Sequence, residues 1–335
     1  MDDARAKFFG KYVLLDELGR GGEGRVDLGY ADDPRGEPRP FAIKRALSSS
    51  GQQSLRAEAE MLAKLIHPRI EAYIEAGETQ GQAYLVKEFI DGITLEDFLR
   101  DLRRSQVALP LPIACHIVAM IAEGLGFLHG FRDPQLGGSV QILHGDLKPS
   151  NVMLTSDGMV KLIDLGVARF ARREYSASEP VPWVSPRYAS PDRILNSRLS
   201  IQDDLFALGI ILWELVCGES YWGELSNDEI VATIGSFKAR EPRALRPEIP
   251  APLAKCILRC FSSESFEGYF EVRDFSETLA EIVLPAGQSS LSLCDCLRKF
   301  CQDAAARREA LVKRHRSEYL SLRQSVQPPL VQSDP

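Results

Sequence analysis

The hydrophobic pattern of this chain changes character once, close to Asp91, and that change most limits the fold. Before it, short apolar stretches alternate as β-strands do, for example in Tyr12–Leu18 and Val26–Tyr30. After it, apolar residues recur at helical spacing over longer stretches, as in Ile113–His129 and Leu205–Cys217. We therefore predict an α+β chain, with a small β-rich part followed by a larger, mainly α-helical part.

The β-rich part is predicted to contain a single helix. Glycines cluster at Gly19–Gly24 between the first two strands, and Asp32–Pro40 is rich enough in Pro, Gly and charge to predict a loop. Apolar residues at helical spacing predict an amphipathic helix over Gln53–Ile66, ended by His67-Pro68. Further strands are predicted at Phe41–Arg45, Glu71–Ala76 and Ala83–Phe89.

The helical part is interrupted by a loop-rich region, Gly137–Pro191, which contains two short apolar stretches typical of strands. Those strands are predicted at Val152–Leu154 and Val160–Ile163, and further helices at Leu95–Leu102, Asp228–Ser236, Leu253–Phe261 and Phe275–Val283. Phe131–Gln141 is a short insertion before this region.

The last fifty residues differ in composition from the rest. Pro285–Ser292 is typical of a linker, Leu293–Leu322 predicts a basic helix, and Gln324–Pro335 is polar and Pro-rich enough to predict disorder. The basic helix could dock on the rest of the chain, on a partner or on an anionic membrane, although a solvated helix face is the simpler interpretation. The predicted domains are 11–90, 91–285 and 286–335.

Composition favours a cytoplasmic protein. A net charge of −7 argues against a surface that coats nucleic acid, and seven scattered cysteines are not a disulfide framework. The first ten residues lack the apolar core of a signal peptide, and Ile113–Leu128 is interrupted by His116 and Glu123. We therefore expect no nucleic-acid partner, no membrane span and a reducing compartment.

Two features of the β-rich part are typical of phosphate binding. Gly19, Gly21, Gly24 and Val26 fit the pattern G-x-G-x-x-G-x-V, which lets a backbone approach phosphate oxygens closely. A glycine-rich hairpin can also be purely structural, but the strand–turn–strand context excludes a dinucleotide-binding fold, which needs a helix after the turn.

Lys44 lies in the apolar strand Phe41–Arg45, where an inward-facing lysine requires an anion. The alternative is a lysine on the solvent face of an edge strand. On the following helix, Glu58 could pair with Lys44, whereas helical phase places Glu60 on another face.

The most specific segment runs from His144 to Asn151 and reads HGDLKPSN, followed by Asp164-Leu165-Gly166. With the glycine-rich turn and Lys44, these motifs occur in the order and spacing of one family. Over residues 11–285 the chain resembles a eukaryotic-type (Hanks-type) serine/threonine protein kinase. The resemblance implies a bilobal fold, Mg·ATP as phosphoryl donor (with Mn²⁺ as a substitute metal), protein Ser/Thr acceptors and self-phosphorylation.

The resemblance also implies roles for particular residues. Asp146 would orient the acceptor hydroxyl and take its proton, and Lys148 would neutralise charge on the transferred group. Asn151 and Asp164 would hold Mg²⁺. The residues implied to bind ATP are Gly19, Gly21, Gly24, Val26, Ala42, Lys44 (paired with Glu58), Met153 and the hinge segment with Glu88 and Ile90.

Further matches in the helical part concern the type of acceptor hydroxyl (Ser/Thr or Tyr) and the residue that supports the catalytic loop. The resemblance implies that Ser185 bonds the catalytic Asp and Lys of a Ser/Thr kinase, and that Asp204 holds the catalytic-loop backbone. The tail is expected to bind a partner if it is not simply solvated.

Three departures from the family pattern are apparent. Gly145 replaces the arginine that usually binds an activation-loop phosphate, so activity is predicted not to depend on loop phosphorylation at sites such as Ser176, Ser178 or Ser185. Lys87 occupies the usually apolar gatekeeper position, either with its amine reaching a carboxylate or as a second cation competing with Lys44. Ser262–Arg273 lacks the usual arginine motif, and Asp192 replaces its glutamate partner.

Two other function classes stay open on the sequence alone. A small-molecule kinase of the aminoglycoside/choline type also uses His-Gly-Asp, but Lys148 and the segments around Ser185 and Asp204 favour a protein kinase. A pseudokinase that binds without turnover would lack at least one of four site residues, and all four are present: Lys44, Asp146, Asn151 and Asp164.

Overall fold

The computed structural model describes residues 8–21, 24–133, 138–139, 141–165, 169–171, 185–197, 199–262, 272–283 and 292–326. The chain divides into two compact units. Unit 1 comprises Met1–Ile66, Ala72–Asp91 and Ala305–Pro335, and unit 2 comprises His67–Glu71 and Gly92–Ala304. Relative to the predicted domains, the end of the chain belongs with the β-rich part and His67–Glu71 belongs with the helical part.

Unit 1 is built on a six-stranded antiparallel sheet with the order β1-β2-β3-β4-β6-β5. The alternating apolar residues predicted this sheet, because successive side chains of a strand project to opposite faces. The strands are β1 Phe8–Phe9, β2 Tyr12–Arg20, β3 Gly24–Asp32, β4 Pro38–Ala46, β5 Tyr73–Thr79 and β6 Gln82–Glu88. The predicted loop Asp32–Pro40 is therefore shorter, since β3 ends at Asp32 and β4 begins at Pro38.

Helix α1 of unit 1 spans Ser49–Leu62, whereas the sequence predicted Gln53–Ile66. The helix begins early because the Ser48 hydroxyl accepts a hydrogen bond from the Gly51 amide and caps its first turn. It ends early because Ile66, which the periodicity included, is 90% exposed and lies beyond the packed face. The predicted boundaries were therefore wrong by four residues at each end.

The end of the chain forms two helices, α10 Leu293–Phe300 and α11 Gln302–Val326, separated at Cys301. The prediction of one helix over Leu293–Leu322 was wrong, as was the prediction of disorder from Gln324, at least as far as Val326. Residues 327–335 and residues 285–291 of the predicted linker lie outside the described residues.

Unit 2 is mainly helical. Its remaining helices are α2 Leu95–Ser105, α3 Leu111–His129, α4 Pro191–Asn196, α5 Ile201–Cys217, α6 Asn227–Thr233, α7 Pro242–Leu245, α8 Ala251–Arg259 and α9 Val272–Val283. Apolar side chains of α3 and α5, such as Ile121 and Leu212, are fully buried, and Phe275 of α9 is buried with them. The predicted helices are therefore confirmed, with ends that differ by a few residues.

Among the described helices, α3 is long and apolar enough to cross a membrane, with a mean hydropathy of 1.8. More than half of that apolar stretch is buried inside the structure. Core helices of soluble proteins meet the same criteria, so the observation is weak support for a membrane span.

Short strands of unit 2 pair with one another between residues 92 and 171. Strand β11 Val152–Thr155 pairs with β7 Gly92–Thr94 and β12 Val160–Leu162, and β10 Gln141–Leu143 pairs with β13 Arg169–Ala171. The insertion predicted at Phe131–Gln141 contains a two-stranded hairpin, β8 Arg132–Asp133 with β9 Gly138–Ser139. These strands fix the loops that join β10 to β11 and β12 to β13.

Candidate active site

Lys44 and Glu58 meet inside unit 1. The Lys44 Nζ lies 2.8 Å from Glu58 Oε2, and the Glu58 side chain is only 3% exposed. Glu60 is exposed on the other face of α1, as helical phase predicted. The predicted pairing is therefore confirmed, and it ties strand β4 to helix α1 through a charge-assisted hydrogen bond.

Lys87, on β6, is 4% exposed and shares the same carboxylate. Its Nζ lies 3.7 Å from Glu58 Oε1, so each lysine faces a different oxygen. The first interpretation of Lys87, an amine that reaches a carboxylate, agrees with this geometry. The structure shows no displacement of Lys44 by Lys87, because Lys44 keeps its short contact.

The strand register places three of the predicted nucleotide-contacting residues, Val26, Ala42 and Lys44, on one face of the sheet. Val26 pairs with Lys44, and Ala42 pairs with both Leu28 and Lys87. Because directly paired residues of antiparallel strands project to the same side, all five lie on a common face. We call this the lysine face of the sheet.

The glycine-rich turn joins β2 to β3. Gly19 pairs with Val26, and the Gly21 amide donates to the Gly24 carbonyl at 2.8 Å. A Cβ on Gly24 would lie 2.9 Å from the Arg45 carbonyl oxygen, so this position excludes larger residues. Gly19 and Gly21 have open space where a side chain would project. Residues 22 and 23 lie outside the described residues.

The segment Glu88–Ile90 follows β6 and is well fixed. The Glu88 amide donates to the Ala72 carbonyl at 3.0 Å, and its carboxylate accepts from the Ala72 amide at 2.8 Å. The Ile90 carbonyl accepts a 3.0 Å hydrogen bond from Arg308 of α11. Arg308 was not singled out in the sequence, because its partner lies 218 positions away in the chain.

In unit 2, the segment 144–151 brings three predicted site residues together. The Lys148 Nζ lies 2.5 Å from Asp146 Oδ2. The Asn151 amide nitrogen donates to the Asp146 backbone oxygen at 2.9 Å and to its carboxylate at 3.3 Å. A short 3₁₀ turn at Pro149–Asn151 makes these local contacts, so Asp146 carries a cation and an amide on its carboxylate.

A buried aspartate supports this loop from helix α5. The Asp204 carboxylate accepts from the backbone amides of His144 and Gly145, each at 2.9 Å, and bonds His129 at 2.8 Å. Burial alone would raise the pKa of Asp204, but His129 and the amides together lower it below its usual value. The carboxylate therefore stays charged, and the contact predicted for Asp204 is confirmed.

Asp164 follows β12 with a left-handed backbone, φ 61°. Its amide donates to the Glu71 carboxylate at 2.7 Å, and the Ile163 amide donates to the Asn151 carbonyl at 3.0 Å. Glu71 was missed in the sequence, because it acts on a residue 93 positions later. Met153 lies in β11 opposite Lys161 and is 8% exposed.

Asn151 and Asp164 suit Mg²⁺ by their donor atoms. Hard cations prefer oxygen ligands, and Mg²⁺ is commonly held by one or two carboxyl or amide oxygens together with phosphates. Because the Asn151 nitrogen is directed to Asp146, its side-chain oxygen is left as an acceptor. The residues present therefore fit the metal implied by the resemblance.

Gly145 has a backbone conformation that an ordinary side chain resists, with φ 74°. Glycine, which replaces the usual arginine here, is the residue type that adopts this left-handed conformation most easily.

The Ser185 segment lies close to the catalytic loop. Ser185 and Asp146 line one small cavity with Tyr188 and Arg193. In the part of the chain that the structure describes, the Ser185 hydroxyl makes no hydrogen bond to Asp146 or Lys148. Asp192 bonds Asn196 at 2.6 Å. Gly166, Ser176, Ser178 and the side chain of Arg273 lie outside the described residues.

Comparison with known proteins decides the family. The family model of the protein kinase domain matches residues 12–283. The chain belongs to the protein kinase family. This confirms the resemblance to Hanks-type kinases that the motifs indicated, and the β-rich and helical units agree with the predicted fold class.

Two bacterial proteins illustrate the similarity. This kinase is 29% identical over 281 residues to the probable serine/threonine-protein kinase PknB of Lactococcus lactis, with 82% of this chain and 42% of that protein covered. It is 28% identical over 276 residues to the tyrosine-protein kinase MasK of Myxococcus xanthus, with 81% and 43% covered. The kinase thus spans less than half the length of these two relatives.

Solved structures support the fold alone. The PknI kinase domain of Mycobacterium tuberculosis, solved as a mutant protein, is 24% identical, with a TM-score of 0.59. The alignment covers 82% of this kinase and 96% of that domain.

Proposed function

We propose that this kinase transfers the γ-phosphate of Mg·ATP to serine or threonine hydroxyls of proteins. The observation that carries the proposal is the cluster of Asp146, Lys148 and Asn151, held by the charged carboxylate of Asp204. Phosphoryl transfer needs a positioned hydroxyl and positive charge around a loose transition state, and these residue types supply both.

Asp146 is the group that would orient the acceptor hydroxyl and accept its proton. Its carboxylate is fixed by Asn151 and neighbours the Lys148 ammonium. When the hydroxyl oxygen bonds the γ-phosphorus, the bond to the β–γ bridging oxygen of ATP breaks and ADP leaves. Lys148 would balance the negative charge that develops on the transferred phosphoryl group.

Asn151 and Asp164 would hold Mg²⁺ through their side-chain oxygens. The bound metal would supply positive charge to the phosphates. Glu71 would then act indirectly, since it fixes the backbone of Asp164.

In unit 1, Lys44 would bind the α- and β-phosphates while Glu58 sets the direction of its amine. Val26 and Ala42 share the lysine face and would contact adenine, and the Glu88–Ile90 backbone would read the adenine edge. Gly19, Gly21 and Gly24 would allow the turn to approach the phosphates.

The hydroxyl class rests on sequence features. Lys148 within Asp-Leu-Lys-Pro-Ser-Asn and the position of Ser185 support Ser/Thr, although the relatives include a protein named as a tyrosine kinase. The proposal therefore requires identification of the phosphorylated amino acid. A cytoplasmic location also remains a prediction.

Activation-loop phosphorylation is proposed not to be required. Gly145 stands where the family usually has an arginine, so this position offers no guanidinium to pair with an activation-loop phosphate. Dephosphorylated enzyme is expected to keep full activity, and the finding that phosphatase treatment abolishes transfer would contradict this proposal.

The decisive experiment measures transfer from γ-³²P-ATP with Mg²⁺, onto the kinase itself and onto a generic basic protein. Asp146→Asn and Lys44→Met are the inactive controls. Label on serine or threonine that both variants lose is the expected result. Label on tyrosine would overturn the hydroxyl class, and ATP binding without transfer would favour a pseudokinase or a small-molecule acceptor.

A further inference from the structure

Helix α11 lies beyond the residues that match the kinase family, yet from Ala305 onward it belongs to unit 1. Its apolar residues complete a core on the sheet. Tyr319 is 5% exposed and stacks on Tyr30 with ring centres 5.7 Å apart. The other members of this core are Phe8, Val13, Leu15, Leu18, Leu28, Phe89, Leu311 and Leu322.

Polar contacts fix the helix along its length. The Tyr319 hydroxyl donates to Asp32 at 3.0 Å, and the Tyr30 hydroxyl donates to the Val312 carbonyl at 3.2 Å. His315, which is 2% exposed, bonds Asp16 at 3.2 Å. Several basic residues of this helix thus pair with acidic groups of the sheet and its loops. Arg314 contacts Asp16 at 3.3 Å, and Arg323 contacts Asp32 at 3.2 Å.

The location of this core on the sheet is informative. Leu28 and Tyr30 alternate with the residues between them, so they project to the same side as Val26. They therefore belong to the lysine face, which also carries Ala42, Lys44 and Lys87. Helix α11 covers one end of the face that holds the proposed nucleotide contacts.

Arg308 connects the helix directly to the Glu88–Ile90 segment. Its guanidinium donates to the Ile90 carbonyl at 3.0 Å and lies over the Phe89 ring, 4.2 Å from the ring centre. Asp91 provides a counter-charge at 3.8 Å. The arginine is 21% exposed, and burial lowers its pKa from the usual value while Asp91 opposes that effect. This half-buried cation contacts three consecutive residues, and its direct contact with their backbone is at the Ile90 carbonyl.

We propose that α11 is a positioning element of the nucleotide site and that Arg308, by fixing the Phe89–Asp91 backbone, sets the affinity for ATP. The inference rests on the proposed function, because it assigns a determinant of ATP binding to the same site. Arg308 acts through Ile90 and does not touch the phosphates, so its loss should weaken nucleotide binding and leave phosphoryl transfer intact.

The test compares full-length Arg308→Ala, Arg308→Lys and a matched control, Lys313→Ala. Lys313 lies on the same helix and is 75% exposed, and it forms an ion pair with Glu309 one turn away. The measurements are KM for ATP, kcat, Mg·ADP affinity by calorimetry, the midpoint of thermal unfolding, and hydrogen exchange of the amides of 88–91.

For Arg308→Ala we expect KM for ATP and the Kd of Mg·ADP to rise about 5- to 10-fold, with kcat changed less than about twofold. Amides 88–91 should exchange at least about fivefold faster. Arg308→Lys should give a smaller rise, since an ammonium can donate to Ile90 but cannot lie flat on Phe89. If the alanine variant does not fold, the lysine variant supplies the comparison.

The inference is overturned if Arg308→Ala and Arg308→Lys both keep the wild-type KM for ATP and the wild-type hydrogen-exchange rates of amides 88–91. It is also overturned if the thermal midpoint falls while KM for ATP is unchanged, because Arg308 would then have a purely structural role. A fall in KM would also contradict it, because α11 would then obstruct the nucleotide. If wild-type protein neither binds Mg·ADP nor transfers phosphate, the proposed function itself fails, and this inference fails with it.

Discussion

The candidate site residues of unit 1 and those of unit 2 are stabilised in different ways. In unit 2, Asp146, Lys148 and Asn151 are separated by at most five positions, and one buried carboxylate, Asp204, fixes the backbone they share. In unit 1, Lys44 takes its position from an ion pair between a strand and a helix, and Lys87 adds a second cation to that pair. The catalytic loop is thus preorganised by backbone hydrogen bonds, whereas the Lys44 site depends on where α1 lies.

This difference suggests which half tolerates change. A loop held by a single buried charge should fail cooperatively, because its amides and a histidine lose their partner together. A site held by side-chain ion pairs should lose function in steps while the fold remains. Substitutions at the supporting residues of each unit distinguish these two behaviours.

The largest effect is expected for Asp204→Ala. The change leaves the amides of His144 and Gly145 and the His129 ring without their shared acceptor inside unit 2. Breaking such a buried charged network costs about 3–5 kcal/mol of unfolding free energy. Urea unfolding measures the loss, and transfer from ATP should be abolished with it.

The control for this variant is Asp228→Ala, an exposed carboxylate in the first turn of α6, which should cost less than about 1 kcal/mol. A folded, active Asp204→Ala protein would show that the loop does not need its buried support.

The next effect is expected for Glu58→Gln. Lys44 loses the charge of its partner but keeps a hydrogen-bonding oxygen, so the direction of its amine is less well defined. A hydrogen bond to a charged group contributes about 1.5–3 kcal/mol, which corresponds to roughly 10- to 100-fold in kcat/KM for ATP. Steady-state kinetics gives the number, and a thermal scan should show a folded protein.

Glu60→Gln is the matched control for that change, because it alters the same residue type on the exposed face of the same helix. It should leave kcat/KM within about twofold. Equal effects of the two substitutions would mean that α1 contributes through general charge and not through the ion pair.

The sequence predicted the unit 2 half of the site better than the unit 1 half, for a physical reason. The catalytic-loop contacts join residues close in the chain, so the motif itself specifies them. Glu71 and Arg308 act on partners 93 and 218 positions away, which only tertiary packing brings together. The sequence indicated only a basic helix at Leu293–Leu322, and the packing of Tyr319, Leu311 and Leu322 on the sheet was missed, because periodicity does not identify the surface that an apolar stripe covers.

A smaller effect is expected for Gly145→Ala. Gly145 has φ 74°, and a residue with a Cβ in this left-handed region costs about 1–2 kcal/mol. The variant should remain folded with a correspondingly lower unfolding free energy. Gly126, in α3 and with open space at its Cβ position, is the control, since alanine there should stabilise the helix. Unchanged stability in Gly145→Ala would mean that the loop readily adopts another backbone conformation.

The smallest effect is expected for Lys87→Met, which keeps the side-chain volume and removes the second cation. Because Lys87 faces Glu58 Oε1 and Lys44 bonds Oε2, the two lysines orient one carboxylate together instead of displacing each other. Because Glu58 keeps Lys44 as its partner, losing the 3.7 Å ion pair should raise KM for ATP by no more than about fivefold, or about 1 kcal/mol. A double-mutant cycle with Glu58→Gln isolates the coupling, and Lys87→Met should have little effect once Glu58 is neutral. A fall in KM would instead establish competition between the lysines, and unit 1 would then contain a cation that weakens its own ATP site.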